Sequence, residues 1–388
     1  MHIRTTTSRH RVPLGPRLGV IALVAACLAP VTPAVADPSA TPSDLRRQLE
    51  TLVRAPGGPP GVIAVLRDGE RTRVVRTGVA ELGTDRAPDI DDHMRIASTA
   101  KAFSGAVALS LVNMGDLRLD DTIGSRLPRL PRAWHAVTLR QLLNHTSGLP
   151  DYIESPEFLA EVREDPRRRF DSRRLLDYGA DEPLRFRPGA RYAYSNSDNI
   201  AVALMAEAVT RTPYERLLDE LVYRHLGLRR TSLPQGYEMP EPYLHGYDGT
   251  EDVSEALSMS GVWASGGIVS TPADLTRFVR GYAGGALYGD RVVREQRRWV
   301  NGASQPAGPG RNEAGLGIFR YTTRCGTVLG HTGNLPGYTQ LIAATPDGRR
   351  SLTFSSTTQI NEGLKPELLS RMRAVQEDFV CALLRGKR

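Results

Sequence analysis

Lysine is almost missing from this 388-residue chain: 50 residues are lysine or arginine, and only three of them, Lys101, Lys365 and Lys387, are lysines. Cysteine is scarce too, with three residues (Cys27, Cys325, Cys381), too few for a disulfide-dense scaffold. Cys-x-x-Cys, His-Glu-x-x-His and His-x-His are all absent and the eight histidines are scattered, which argues against a dedicated metal site. No cofactor is expected. Aromatic residues make up only 6% and no basic stripe runs along the chain, so a nucleic-acid partner is not expected. The densest basic stretch, DPRRRFDSRR (165–174), is interleaved with acids and reads as a solvated face.

Long apolar runs are confined to the first residues. Arg4, Arg9, Arg11 and Arg17 precede the apolar LGVIALVAACLAPV, and AVA at 34–36 stands before Asp37. This is the pattern of a signal peptide, so residues 1–36 are expected to be cleaved after Ala36 and the mature protein secreted. A lipid attached at Cys27 is the alternative reading of the same segment. No later stretch is apolar for long enough to span a membrane. Losing four arginines and no acids lowers the formal charge from +7 to +3. In an oxidising compartment the remaining pair, Cys325 and Cys381, reads as one disulfide; two buried thiols are the alternative.

The mature length suits two intimately packed parts. SDLRRQLETLVR (43–54) carries Leu45, Leu49 and Leu52 on one helical side. GVIAVLRDGERTRVVRTGVAEL reads as a hairpin around Asp68-Gly69. Three more strands are expected in GTVLGHTG, GYTQLIAAT and RRSLTFSSTT, and a last helix over 364–384 places Leu368, Met372, Val375, Phe379 and Ala382 on one face. These features predict an α/β fold of the α+β type: one antiparallel sheet built from both termini and flanked by helices. The catalytic domain is expected over 37–384, with a mostly helical subdomain inserted at roughly 110–260 and a basic tail at 385–388. Thr212-Pro213 and Thr271-Pro272 read as helix starts, and QPAGPGRNEAGLG (305–317) as a loop bordering a cleft.

Lys101 sits in STAKAFSGAVALSLVNM, which is apolar all round and so reads as a buried helix. A buried lysine is costly unless paired or neutral. Ser98 lies one helical turn earlier and shares its face. A serine hydroxyl needs an adjacent base to attack a carbonyl, and a desolvated lysine can lose its proton where arginine cannot. A chance Ser-x-x-Lys on a surface helix is the bland alternative. Tyr194-Ser195-Asn196 precedes the apolar helix DNIAVALMAEAV; Tyr194 is expected to relay protons if nearby positive charge lowers its pKa, and Asn196 to hold a substrate amide and order Lys101. A plain helix start, capped by Ser195 or Ser197, explains the same residues. His331-Thr332-Gly333 closes a predicted strand, where a glycine lets another backbone come close.

Ser-x-x-Lys, Tyr-x-Asn and His-Thr-Gly in this chain order resemble the serine D-alanyl-D-alanine carboxypeptidase and class C β-lactamase family. LLNHTSGLPDY (142–152) and SGVWASGGIVSTPADLTRF (260–278) look like further segments of it. The resemblance implies an acyl-enzyme on Ser98, with proton traffic shared by Lys101 and Tyr194 and an oxyanion hole from the backbone N–H groups of Ser98 and Asn334. It implies that His331 and Thr332 hold the substrate's carboxylate side, that Trp263 walls the pocket, and that Arg320, one residue out of register against Cys325, binds a carboxylate. It also matches a disulfide between Cys325 and Cys381. The expected substrate is a small or cell-wall peptide ending in D-Ala-D-Ala, with β-lactams as covalent ligands and the protein a monomer. An ester, a D-amino-acid amide or a β-lactam on the same machinery, or a silent penicillin-binding protein, are the alternatives. No Gly-x-Ser-x-Gly elbow occurs, which disfavours an α/β-hydrolase.

Overall fold

The computed structural model describes residues 42–385. The expected signal segment, Cys27 and the end of the basic tail lie outside the described residues.

The described residues open with helix α1 (Pro42–Val53), whose Leu45, Leu49 and Leu52 are buried. Strands β1 (Gly61–Asp68) and β2 (Arg71–Gly78) follow as the expected hairpin. Gly69 takes φ 58° in its turn, a conformation glycine adopts without steric cost. Six strands from the other end complete the sheet: β3 (Val300–Asn301), β4 (Arg311–Ala314), β5 (Phe319–Thr323), β6 (Gly326–Leu335), β7 (Tyr338–Ala344) and β8 (Arg350–Ser356). The spatial order is β2-β1-β8-β7-β6-β5-β4-β3, antiparallel throughout, with β1 joining β8 at Val62↔Ser356. Strands from the two ends of the described residues thus meet in one sheet, as their patterns predict. β3 to β5 were not expected. β4 lies inside the stretch read as a loop; its polar residues are held by edge pairing with β5, not by an apolar pattern of their own.

β1 shows how the sheet sorts its side chains. Val62, Ala64 and Leu66 face one core, while Ile63 and Val65 face another. The first core packs α1 and the last helix α5 (Pro366–Arg385) under the sheet, through Leu368, Met372 and Phe379. The second packs helices α2 (Ala100–Met114), α3 (Asn196–Thr210) and α4 (Pro272–Ala283) over it. Burying both faces explains why β1 is apolar at nearly every position. A disulfide, Cys325–Cys381, ties the turn before β6 to α5, with Cα atoms 5.1 Å apart.

The helix starts are capped unequally. Thr271 accepts from the Asp274 N–H at 3.2 Å, as its Thr-Pro signature predicts. Thr212 does not cap; the Glu207 carboxylate accepts the Tyr214 N–H at 2.7 Å instead, so a neighbouring helix supplies the acceptor.

Candidate active site

α2 is buried from Ala100 to Val112, as its all-round apolar sequence requires. It is preceded by one tight turn, Ala97–Thr99, which presents Ser98 half-buried at the wall of a cavity of about 630 Å³. Ala97 has φ 49°, a conformation costly for a residue with a Cβ. His145 (φ 58°) and Trp263 (φ 29°) share that strain, and both lie in segments that build the site. Gly333 of β6 lets the sheet approach the Ser98 turn: a Cβ there would fall 2.2 Å from the Ile96 carbonyl oxygen and 2.9 Å from Thr99 Oγ1.

Lys101 is only 1% exposed. Its Nζ lies 3.1 Å from Ser98 Oγ, 2.7 Å from Asn196 Oδ1 and 2.7 Å from the Ser265 carbonyl oxygen. Burial holds its pKa down to about 7, against the opposing pull of Asp151 and Asp198. Two of its three neighbours can only accept a hydrogen bond. In the neutral amine, both N–H groups are therefore taken by Asn196 and Ser265, and the lone pair is left facing the Ser98 hydroxyl. That arrangement can remove the serine proton.

Tyr194 lies with its ring centroid 5.0 Å from Lys101 Nζ. Its hydroxyl is buried with no hydrogen bond of normal geometry, although Ser98 lies near enough to favour the ionised form a little. Burial wins and pushes the phenol up, opposite to the direction expected from its charged neighbour. The phenol is thus neutral, able to donate a proton but not to act as a resting base.

The site rests on residues whose roles were not read from sequence. Asp151 Oδ2 accepts both the backbone N–H and the side-chain NH2 of Asn196, each at 3.0 Å. Neither expected serine caps α3: Ser195 makes no capping bond, and Ser197 accepts from the Tyr152 N–H. The buried Asp198 carboxylate holds His145 Nδ1 at 2.8 Å and accepts from Ser147. His145 in turn packs on Tyr194, with ring centroids 4.5 Å apart, and burial lowers its pKa to about 3. His145, Ser147 and Asp151 all lie in the HTSGLPD segment, which was legible as a motif without any role for its members.

Of the other expected site residues, Asn334 lines the cavity. Its side chain is committed to the wall: Nδ2 donates to Thr339 Oγ1 (2.8 Å) and to the Ile360 carbonyl (2.9 Å), while Oδ1 accepts from Gln359 and Asn361. Four residues stand apart from the lining. His331 is buried behind it, neutral because burial lowers its pKa to about 3, and bonded to the Thr332 carbonyl at 2.6 Å. Thr332 Oγ1 donates to the Pro306 carbonyl at 2.7 Å, which fixes a lining loop. Trp263 does not wall the pocket; its Nε1 donates to Glu215 at 2.9 Å and its ring lies under Arg173. Arg320 does not reach the pocket either: its Nε donates to Glu313 at 2.8 Å across the β4–β5 pair, and its guanidinium stacks on Trp299. An inside-edge carboxylate satisfies it before any substrate can.

The cavity wall is largely apolar, with Ile153, Phe158, Val162, Phe170, Met259 and Val262, and among the described residues Glu362 is its one charged lining residue. Among the described residues no group of histidine, cysteine and acidic side chains could hold a metal ion, and no helix is long and apolar enough to cross a membrane.

This chain is a serine hydrolase of the fold shared by serine β-lactamases and penicillin-binding proteins, with the Ser98 turn held between its antiparallel sheet and its helical layer. The sequence model of the Beta-lactamase family matches residues 45–377, and the chain belongs to that family. Penicillin-binding protein 4* of Bacillus subtilis (strain 168) is 25% identical over 338 residues, covering 81% of this chain and 72% of that protein. The D-alanyl-D-alanine-carboxypeptidase/endopeptidase AmpH of Escherichia coli (strain K12) is 28% identical over 246 residues; the match takes in 60% of this chain and 59% of AmpH. Among solved structures, the D-stereospecific amidohydrolase from Streptomyces sp. superposes with a TM-score of 0.76 at 28% identity, covering 90% of this chain and all of that one (100%).

Proposed function

We propose that the chain hydrolyses amide bonds of D-configured amino acids through an acyl-enzyme on Ser98. The observation that carries this reading is the Lys101 amine, buried and hydrogen-bonded so that its lone pair faces Ser98 Oγ at 3.1 Å. Lys101 takes the serine proton as Ser98 attacks the carbonyl carbon. Tyr194, a neutral phenol over the same serine, passes a proton to the leaving nitrogen as the C–N bond breaks and regains one from the Lys101 ammonium, so both groups return to their starting states. The backbone N–H groups of Ser98 and Asn334 receive the oxyanion, a contact typically worth about 3 kcal/mol per donor. Water then repeats the attack on the ester and frees Ser98. D-configuration is taken from the relatives, not from the cavity.

The substrate's other features follow from the lining. With Arg320 tied to Glu313 and His331 neutral and buried, the described residues lining the cavity include no cation to meet a terminal carboxylate. The apolar wall instead favours a bulky apolar side chain, and Glu362 favours a free amine over a second carboxylate. A D-alanyl-D-alanine carboxypeptidase is the second reading, supported by the likeness to AmpH. One panel tests both. After a labelled penicillin is shown to acylate Ser98 and to leave Ser98→Ala unlabelled, kcat/KM is compared for D-phenylalanine amide and a diacyl D-Ala-D-Ala peptide. A higher value for the amide supports the first reading; a higher value for the peptide replaces it with the second. Label on another residue overturns both.

A further inference from the structure

Nothing in the expected machinery gave Asp151 a task, yet of the two carboxylates that pull on the Lys101 amine it pulls the harder. It is 6% exposed, and its Oδ2 takes two N–H groups from one residue, Asn196. A side-chain amide has a donating end and an accepting end, and either could face Lys101. A carboxylate can only accept, so Asp151 draws the NH2 end to itself and turns the carbonyl toward Lys101. Were the amide reversed, its NH2 would donate to the amine's lone pair, and Ser98 would lose its base.

We propose that Asp151 is a positioning residue: it fixes the Asn196 amide with its oxygen on Lys101 and, together with Asp198, provides the negative charge that faces the amine. The inference rests on reading Lys101 as the base. Charged and titratable groups facing Lys101 are Asp151 from the loop before Tyr152, Asp198 from α3, the Tyr194 ring, and the neutral imidazoles of His145 and, from β6, His331. Asp151 also caps α3, so a purely structural role must be separated from the electrostatic one.

The scarcity of lysine makes the separation direct. Protein labelled with 13C at lysine Cε has three signals, from Lys101, Lys365 and Lys387, and their titration is followed by NMR with no substrate present. Asp151→Asn keeps an acceptor for both Asn196 N–H groups and removes the charge. The expected result is a Lys101 midpoint lowered by about one pH unit, and restored by Asp151→Glu. Asp151→Ala releases the amide, and penicillin acylation above the midpoint falls at least about tenfold. A midpoint unmoved in Asp151→Asn, with only thermal stability lowered, leaves Asp151 a cap and overturns the proposal. If that variant does not fold, the unmutated protein decides. Nuclear Overhauser contacts from the Asn196 NH2 protons to Asp151 Hβ support the assignment; contacts to Lys101 Hε overturn it. Failure of Ser98 to take the penicillin would sink the function while leaving these NMR results readable, so the two failures are distinct.

Discussion

Acylation of Ser98 should follow the unprotonated fraction of Lys101. With its pKa near 7, that fraction is about 1% at pH 5, about 10% at pH 6, half at pH 7 and about 90% at pH 8. The acylation rate constant should therefore rise about tenfold from pH 5 to 6 and about ninetyfold from pH 5 to 8, then level off. His145 and His331 are held near 3 and Tyr194 well above its ordinary value, so none of them changes state in this window. Burial also raises Asp151 and Asp198, and both pull on the amine, so the limb reports this interacting set of groups. The sign is fixed by role: a base must be unprotonated, so activity grows with pH through the midpoint. Stopped-flow acylation by a chromogenic cephalosporin, under single-turnover conditions at each pH, reads the limb. Lys101→Arg keeps the positive charge but ionises above about 12, which lowers the unprotonated fraction at pH 7 by about 10⁵. The arginine enzyme should thus be at least about 10³-fold slower, as slow as Lys101→Ala. A profile flat from pH 5 to 8, a midpoint near that of free lysine, or a working arginine enzyme would each refute the assignment of Lys101 as base.

Two further substitutions separate the site from its surroundings. Gly333→Ala sets a Cβ 2.2 Å from the Ile96 carbonyl oxygen, so the sheet and the nucleophile turn must part; a loss of about 1–3 kcal/mol in urea unfolding and a drop of at least about tenfold in acylation are expected. Stability lost with acylation unchanged would mean that this contact does not position Ser98. Arg320→Ala removes a cation already paired with Glu313; kcat/KM for the diacyl D-Ala-D-Ala peptide should stay within about twofold of the unmutated enzyme, as for a surface ion pair outside the site, and a selective rise in KM for that peptide would return Arg320 to the pocket.

Much of the fold was written in local pattern. The three α1 leucines, the β1–β2 hairpin, the strands β6 to β8 and the last helix all follow from periodicity and turn residues, because most bury an apolar face continuous in sequence and the hairpin is set by its Asp68-Gly69 turn. The short strands β3 to β5 did not, since strands of two to five residues near the sheet's edge owe their conformation to a neighbour's backbone. Within the site, Ser98 and Lys101 were legible as a pair because one helical turn separates them and the chain otherwise avoids lysine. Asp151 was not, because its partner Asn196 lies 45 residues away in sequence. Trp263 and Arg320 were placed in the pocket by resemblance; the fold gives each a carboxylate, Glu215 and Glu313, that holds it elsewhere.

What the sequence by itself determined is the chemistry on offer: a lone lysine in an apolar helix, one turn from a serine, with a tyrosine and an asparagine ahead of a second helix. What only the tertiary structure decided is the state of those groups. Burial lowers the amine's pKa to about 7 and pushes the phenol's up, and Asn196 and Ser265 accept from Lys101 Nζ beside Ser98. Proton affinity depends on desolvation and on charges brought close from distant segments, and neither exists until the chain has folded.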